Sequence, residues 1–113
     1  MAIQLPNGIL GVVDMQKIED YCLNLHHPRG RHKARAFKEV LGLARDDATW
    51  LRNALFYAAE TAEAVPLTCD VWGERWRVDV QMTRQQRTVM VRSIWIIRTG
   101  EYHPRFVSAW VLR

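Results

Sequence analysis

At Pro66 the hydrophobic pattern of this chain changes its period, and that change limits the fold more than any other feature. Upstream, apolar residues recur at three- and four-residue spacing: Ala34, Phe37, Val40 and Leu41, then Leu51, Ala54, Leu55, Ala58 and Ala62. That spacing marks one face of an α-helix. Downstream, Trp76, Val78, Val80 and Met82 alternate with Arg75, Arg77, Asp79 and Gln81. Such alternation is the pattern of a strand with one buried face. A chain that groups its helices before its strands builds an α+β fold with an antiparallel sheet.

Local signals place the elements. Pro6-Asn7-Gly8 marks a turn, and 9–13 reads as a short strand. Asp14 suits the N-cap of a first helix over 15–23, with Ile18, Tyr21, Cys22 and Leu25 inward. His27-Pro28-Arg29-Gly30 breaks the chain before a second helix over 31–43. Asp46 or Asp47 caps a third, over 48–64. Strands follow at 67–72, 75–82, 88–98 and 106–112, with a tight turn at Gly73-Glu74 and a polar loop over 83–87. The run 88–98 is apolar on both faces except at Arg92 and Ser93, which makes it a central strand. The expectation is one α+β domain over 1–113: three N-terminal helices packed on one face of a four-stranded antiparallel sheet.

Composition excludes several classes. A chain with 49% hydrophobic and 25% charged residues is globular rather than disordered. Cys22 and Cys69 lie far apart, with no CxxC and no histidine at ligand spacing; they read as small core residues, not a metal site. No cofactor or metal is expected, since phosphate-loop, dinucleotide, zinc-protease and nucleophile-elbow motifs are all missing. The first residues do not resemble a signal peptide and no apolar run is long enough to span a bilayer, so a cytoplasmic protein without membrane contact is expected. The net charge of +4 is carried by the second half, where eight basic residues meet four acidic ones; the first half balances at eight and eight. An arginine-rich sheet suits a phosphate-bearing partner.

The second helix begins against its own electrostatics. A helix N-terminus carries partial positive charge and disfavours cations, yet Arg29, Arg31, His32, Lys33 and Arg35 crowd this one. An anion held at the free backbone amides, with Gly30 allowing close approach, would rationalise the arrangement. On a helical wheel Arg31, Arg35 and Lys38 share one exposed direction, the pattern of a solvated basic face. Lys33 stands apart, between Phe37 and Val40 at the edge of the apolar stripe. Its ammonium must snorkel, pair with a carboxylate, or face a cleft. His32 borders the same face and can move protons near neutral pH, with His27 as the alternative. Arg92 and Ser93 point to opposite faces of their strand; Arg92 either pairs with an acid such as Asp79 or joins Lys33 in clamping a phosphate.

The stretches Lys17-Ile18-Glu19-Asp20-Tyr21-Cys22-Leu23-Asn24, His27-Pro28-Arg29-Gly30-Arg31-His32-Lys33-Ala34-Arg35-Ala36-Phe37, Leu41-Gly42-Leu43 and Val91-Arg92-Ser93-Ile94-Trp95-Ile96-Ile97-Arg98 resemble a bacterial family of domains of unknown function. That family carries no established activity. The layout is also similar to metal-free ribonuclease toxins of the barnase, EndoU, colicin and RelE type. This likeness implies an endoribonuclease acting on RNA, held by a small antitoxin or immunity protein. Under that reading Lys33, Arg92 and Arg31 bind the scissile phosphate, His32 or His27 transfers protons, and Ser93 positions a phosphate oxygen; Arg29, Gly30 and Arg35 extend the phosphate site. Two readings stand beside it: a non-catalytic module binding protein or nucleic acid through the basic helix start, and a structural domain with Lys33 and Arg92 in internal ion pairs.

Overall fold

The computed structural model describes residues 3–113. Helix α1 opens at Met15–Lys17, where the Asp14 carboxylate accepts a hydrogen bond from the Gln16 amide at 2.9 Å. It does not continue as an α-helix, because Ile18–Cys22 widen into a π-helical turn. Helix α2 spans Arg31–Leu41 and α3 spans Ala48–Thr61, the latter entered through a 3₁₀ turn at Arg45–Asp47. Strands β1 (Ala64–Asp70), β2 (Gly73–Arg84), β3 (Arg87–Arg98) and β4 (Arg105–Leu112) form an antiparallel meander in the order β1-β2-β3-β4. Helices before a four-stranded sheet is the α+β architecture that the change of period implies.

One sheet face is covered and the other is open. Val78, Val91, Trp95 and Ala109 are fully buried, together with Phe37 and Leu41 of α2 and Leu51, Leu55 and Ala58 of α3. Their strand neighbours Arg77, Asp79, Arg92, Ile94 and Trp110 stay partly exposed on the side without helices. Burying each of the Val, Leu and Phe side chains among them contributes about 1.5–3 kcal/mol, which sets which face is which. Ser93 sits within the core, its hydroxyl donating to the Val78 carbonyl at 2.9 Å.

Several local expectations are corrected. The region 9–13 is not a strand: Gly8–Leu10 form a 3₁₀ turn, and Val12 makes only an isolated parallel bridge to Arg105. Helix α2 stops at Leu41 because Gly42 takes up a left-handed cap. Helix α3 ends at Thr61, and Ala64 already pairs with Val78. The first hairpin turns at Val71 and Trp72, not at Gly73-Glu74, since Asp70 pairs with Gly73. Gly73 answers to a close approach: a Cβ there would lie 2.2 Å from the Ile97 carbonyl oxygen. The supposed loop 83–87 is a two-residue turn at Gln85 and Gln86, with φ of 52° and 64°. Two left-handed residues match the twist of a tight hairpin. Cys69 is exposed rather than core, while Cys22 is buried; both are free thiols.

Candidate functional site

Lys33 settles its three alternatives by facing a cleft. From α2 its side chain reaches the free edge of β4, where its ammonium lies 3.3 Å from both the Tyr21 and Ser108 hydroxyl oxygens. It also stands 4.7 Å from the Trp110 ring centre and 5.1 Å from that of Tyr21, within cation–π range. No carboxylate lies within 4.0 Å of it among the described residues. The cleft holds about 370 Å³ and is lined by Lys17, Tyr21, Lys33, Val107 and Ser108. Lys17 adds a second ammonium, anchored by one hydrogen bond of 3.0 Å to the Phe106 carbonyl. Two ammonium groups and two hydroxyls around an open space, with no acidic lining residue among the described residues, are groups that can hydrogen-bond an anion.

Two backbone irregularities shape this cleft. The π turn of α1 carries Tyr21, and such turns recur where a helix serves a site. Across from it, β4 pairs Ser108 with Ile94 and Phe106 with Trp95, so Val107 is an extra, bulged residue. Bulges bend an edge strand and re-aim its side chains. Beneath the floor, Cys22 is buried, and burial pushes its thiol pKa up to about 11. It remains a neutral packing group.

The other expected residues are placed elsewhere. Arg92 lies on the open sheet face, where its Nε and Nη2 donate to the two Asp79 carboxylate oxygens at 2.9 and 3.0 Å. That contact raises the guanidinium pKa further. Of the two alternatives for Arg92, the ion pair is the one formed; the direct clamp with Lys33 is not. Ser93 is fully buried on the opposite face, accepting a hydrogen bond from Trp95 Nε1 at 2.9 Å, and does not reach the cleft.

At the start of α2 part of the backbone is already engaged by His27. His27 Nδ1 accepts hydrogen bonds from the Arg29 and Gly30 amides at 3.0 and 2.9 Å, and the His27 carbonyl accepts from the Arg31 amide at 3.0 Å. Three donors available to an anion are thereby already used. Gly30 is buried, and a Cβ there would lie 2.6 Å from the Tyr21 carbonyl oxygen, so its small size serves packing against the π turn. The His27 ring meets the Tyr21 ring edge-on at 4.9 Å, which steadies the tyrosine that faces Lys33. Arg29, Arg31, His32 and Arg35 are exposed and form no ion pair among the described residues.

The structure therefore brings Lys33 together with Lys17, Tyr21, Ser108 and Trp110, of which only Lys33 stood out as a site residue in the sequence. Among the described residues no group of three or more His, Cys, Asp or Glu side chains is placed to hold a metal ion. No helix among them is long and apolar enough to cross a membrane.

Comparison with solved structures finds a similar fold in a chain of the contact-dependent growth inhibition toxin–immunity protein complex from Klebsiella pneumoniae 342. The match has a TM-score of 0.70 and covers 89% of this chain and 99% of that chain, at 15% identity. At that identity the likeness is one of fold. No characterised protein sequence matches. The profile of one family, described as domain of unknown function (DUF6883), matches residues 4–113, and the chain belongs to that family.

Proposed function

We propose that this chain is a metal-independent endoribonuclease acting as a toxin, with the Lys33 cleft as its active site. The observation that carries the reading is the Lys33 ammonium, held by two hydroxyls and two aromatic rings in an open cleft with no carboxylate partner among the described residues. In the reaction the RNA 2′-oxygen attacks the adjacent phosphorus, the bond from phosphorus to the 5′-oxygen breaks, and a 2′,3′-cyclic phosphate forms. Lys33 and Lys17 offset the negative charge that grows on the phosphoryl oxygens, and the Tyr21 and Ser108 hydroxyls hold those oxygens. His32, exposed one residue before Lys33, takes the proton from the 2′-hydroxyl and returns one to the 5′-oxygen. The shared fold with a chain of a toxin–immunity complex accords with a toxin neutralised by a small immunity protein.

Incubation of purified protein with RNA in EDTA tests the reading. Cleavage leaving 2′,3′-cyclic phosphate ends is expected, and Lys33→Ala is expected to slow it by on the order of 10²–10³. Intact RNA after incubation with folded wild-type protein would sink it.

One observation favours a second reading, a binding module without turnover: Arg29, Arg31 and Arg35 are exposed and free of ion pairs among the described residues. In that case Lys33→Ala and Lys38→Ala weaken RNA binding equally, with a shared salt dependence.

A further inference from the structure

The open face of the sheet runs without a break into the Lys33 cleft. Strand register sets Asp79, Arg92 and Trp110 in one row across β2, β3 and β4, and Arg77, Ile94 and Ser108 in the next. Residues directly opposite in such rows have Cβ atoms about 4.5–5.5 Å apart. Ser108 thus belongs both to the cleft and to the open face, and Trp110 lies beside it on that face. The Lys33 ammonium lies 4.7 Å from the Trp110 ring, and Trp110 is the register partner of Arg92.

Charge on this face is unbalanced. Arg92 grips Asp79 with two hydrogen bonds, and Arg77 Nε lies 3.5 Å from the same carboxylate. Two guanidiniums sharing one carboxylate leave a positive charge unanswered, and Arg77 Nε is buried without a hydrogen bond. The three side chains remain 25–34% exposed. A guanidinium has five N–H donors and Arg92 commits two groups to Asp79, so donors remain for a phosphate. Ile94, between the arginines and the cleft, and the Trp110 indole give the apolar surface on which a nucleobase stacks.

We infer that Arg92, Arg77, Ile94 and Trp110 form a second nucleotide subsite that binds the phosphate next to the one at Lys33 in single-stranded RNA, an inference resting on the ribonuclease reading. Asp79 holds both guanidiniums in place and competes with the phosphate for them.

The test uses 2′-O-methyl dinucleotides and trinucleotides, which carry one and two internucleotide phosphates and cannot be cleaved. Wild type is expected to bind the trinucleotide several-fold more tightly than the dinucleotide. Arg92→Gln and Arg77→Gln are expected to erase that gain while leaving dinucleotide affinity unchanged, and to reduce the salt slope by about 0.7 for the phosphate lost. Lys33→Gln lowers both affinities. Asp79→Asn frees both guanidiniums and is expected to raise trinucleotide affinity, which a purely structural ion pair does not predict. Retention of the gain in both arginine variants overturns the inference, as does weaker trinucleotide binding by folded Asp79→Asn protein. Should Arg92→Gln fail to fold, Arg77→Gln decides in the same way. Wild type that shows the trinucleotide gain yet leaves natural RNA intact refutes the nuclease and keeps the subsite; wild type that binds neither probe refutes both.

Discussion

Trp95 and Ser93, two residues apart on β3, share one fully buried hydrogen bond in which the indole Nε1 donates to the serine hydroxyl at 2.9 Å. The hydroxyl in turn donates a hydrogen bond to the Val78 carbonyl, so it links the indole to the neighbouring strand. Ser93→Ala leaves the Trp95 N–H without a partner, a loss of about 1–3 kcal/mol. Denaturant unfolding is expected to show that loss, with RNA cleavage by the folded variant unchanged. A variant as stable as wild type but unable to cleave RNA would return Ser93 to the active site.

The cleft lysine should behave in the opposite way. Lys33 is half-buried with no carboxylate partner among the described residues, so Lys33→Ala is expected to change unfolding free energy far less than Ser93→Ala. Its effect belongs in the rate or in anion affinity. Parallel unfolding and cleavage measurements on the two variants separate the roles.

Neutralising Arg31 and Arg35 removes cations from the positive end of α2. Arg31→Gln and Arg35→Gln are expected to leave stability unchanged or raise it by roughly 0.3 kcal/mol each. RNA affinity falls if the basic helix start touches the backbone. A clear drop in melting temperature would show structural contacts instead.

Thiol chemistry offers a check on the floor of the cleft. Cys22 is buried with its pKa pushed up to about 11, whereas Cys69 is exposed. Near neutral pH a thiol reagent is expected to modify one cysteine per folded molecule, and both after unfolding. Rapid modification of two would mean that the region under Lys33 opens readily.

Acid stability depends on surface carboxylates with lowered pKa. Hydrogen bonds from Arg105 hold Glu101 below the usual range, and the Trp72 amide does the same for Asp70. Such groups stabilise the fold fully above their unfolded pKa values, about 4.3 and 3.9. That contribution is lost as pH falls through the lower folded values. Arg105→Gln is expected to flatten the Glu101 part of the decline, read as melting temperature against pH. An unchanged acid profile would show that the pair contributes nothing.

Periodicity made the order of helices and strands legible, because 3.6- and two-residue patterns respond to the same buried face that the structure shows. It also singled out Lys33, whose place beside Phe37 left its charge needing an explanation. Gly73 misled because a glycine required by the nearby β3 backbone looks the same as one required by a turn. That the His27 ring folds back onto the Arg29 and Gly30 amides was not legible, because nothing in the sequence shows it. Lys17, Tyr21 and Ser108 were not legible as partners of Lys33. They meet it only through a π turn and a bulge, and both irregularities break the regular counting on which pattern reading depends.

Those two irregularities also separate the cleft from the interior behind it. Val107 can be removed from the strand's alternation with Phe106 and Ala109 still inward and Ser108 and Trp110 still outward. The rim of this cleft is therefore a local insertion that the packing around Trp95 does not require. A change of one residue at this edge alters the mouth of the cleft without repacking the core, so its shape can vary among chains that fold alike.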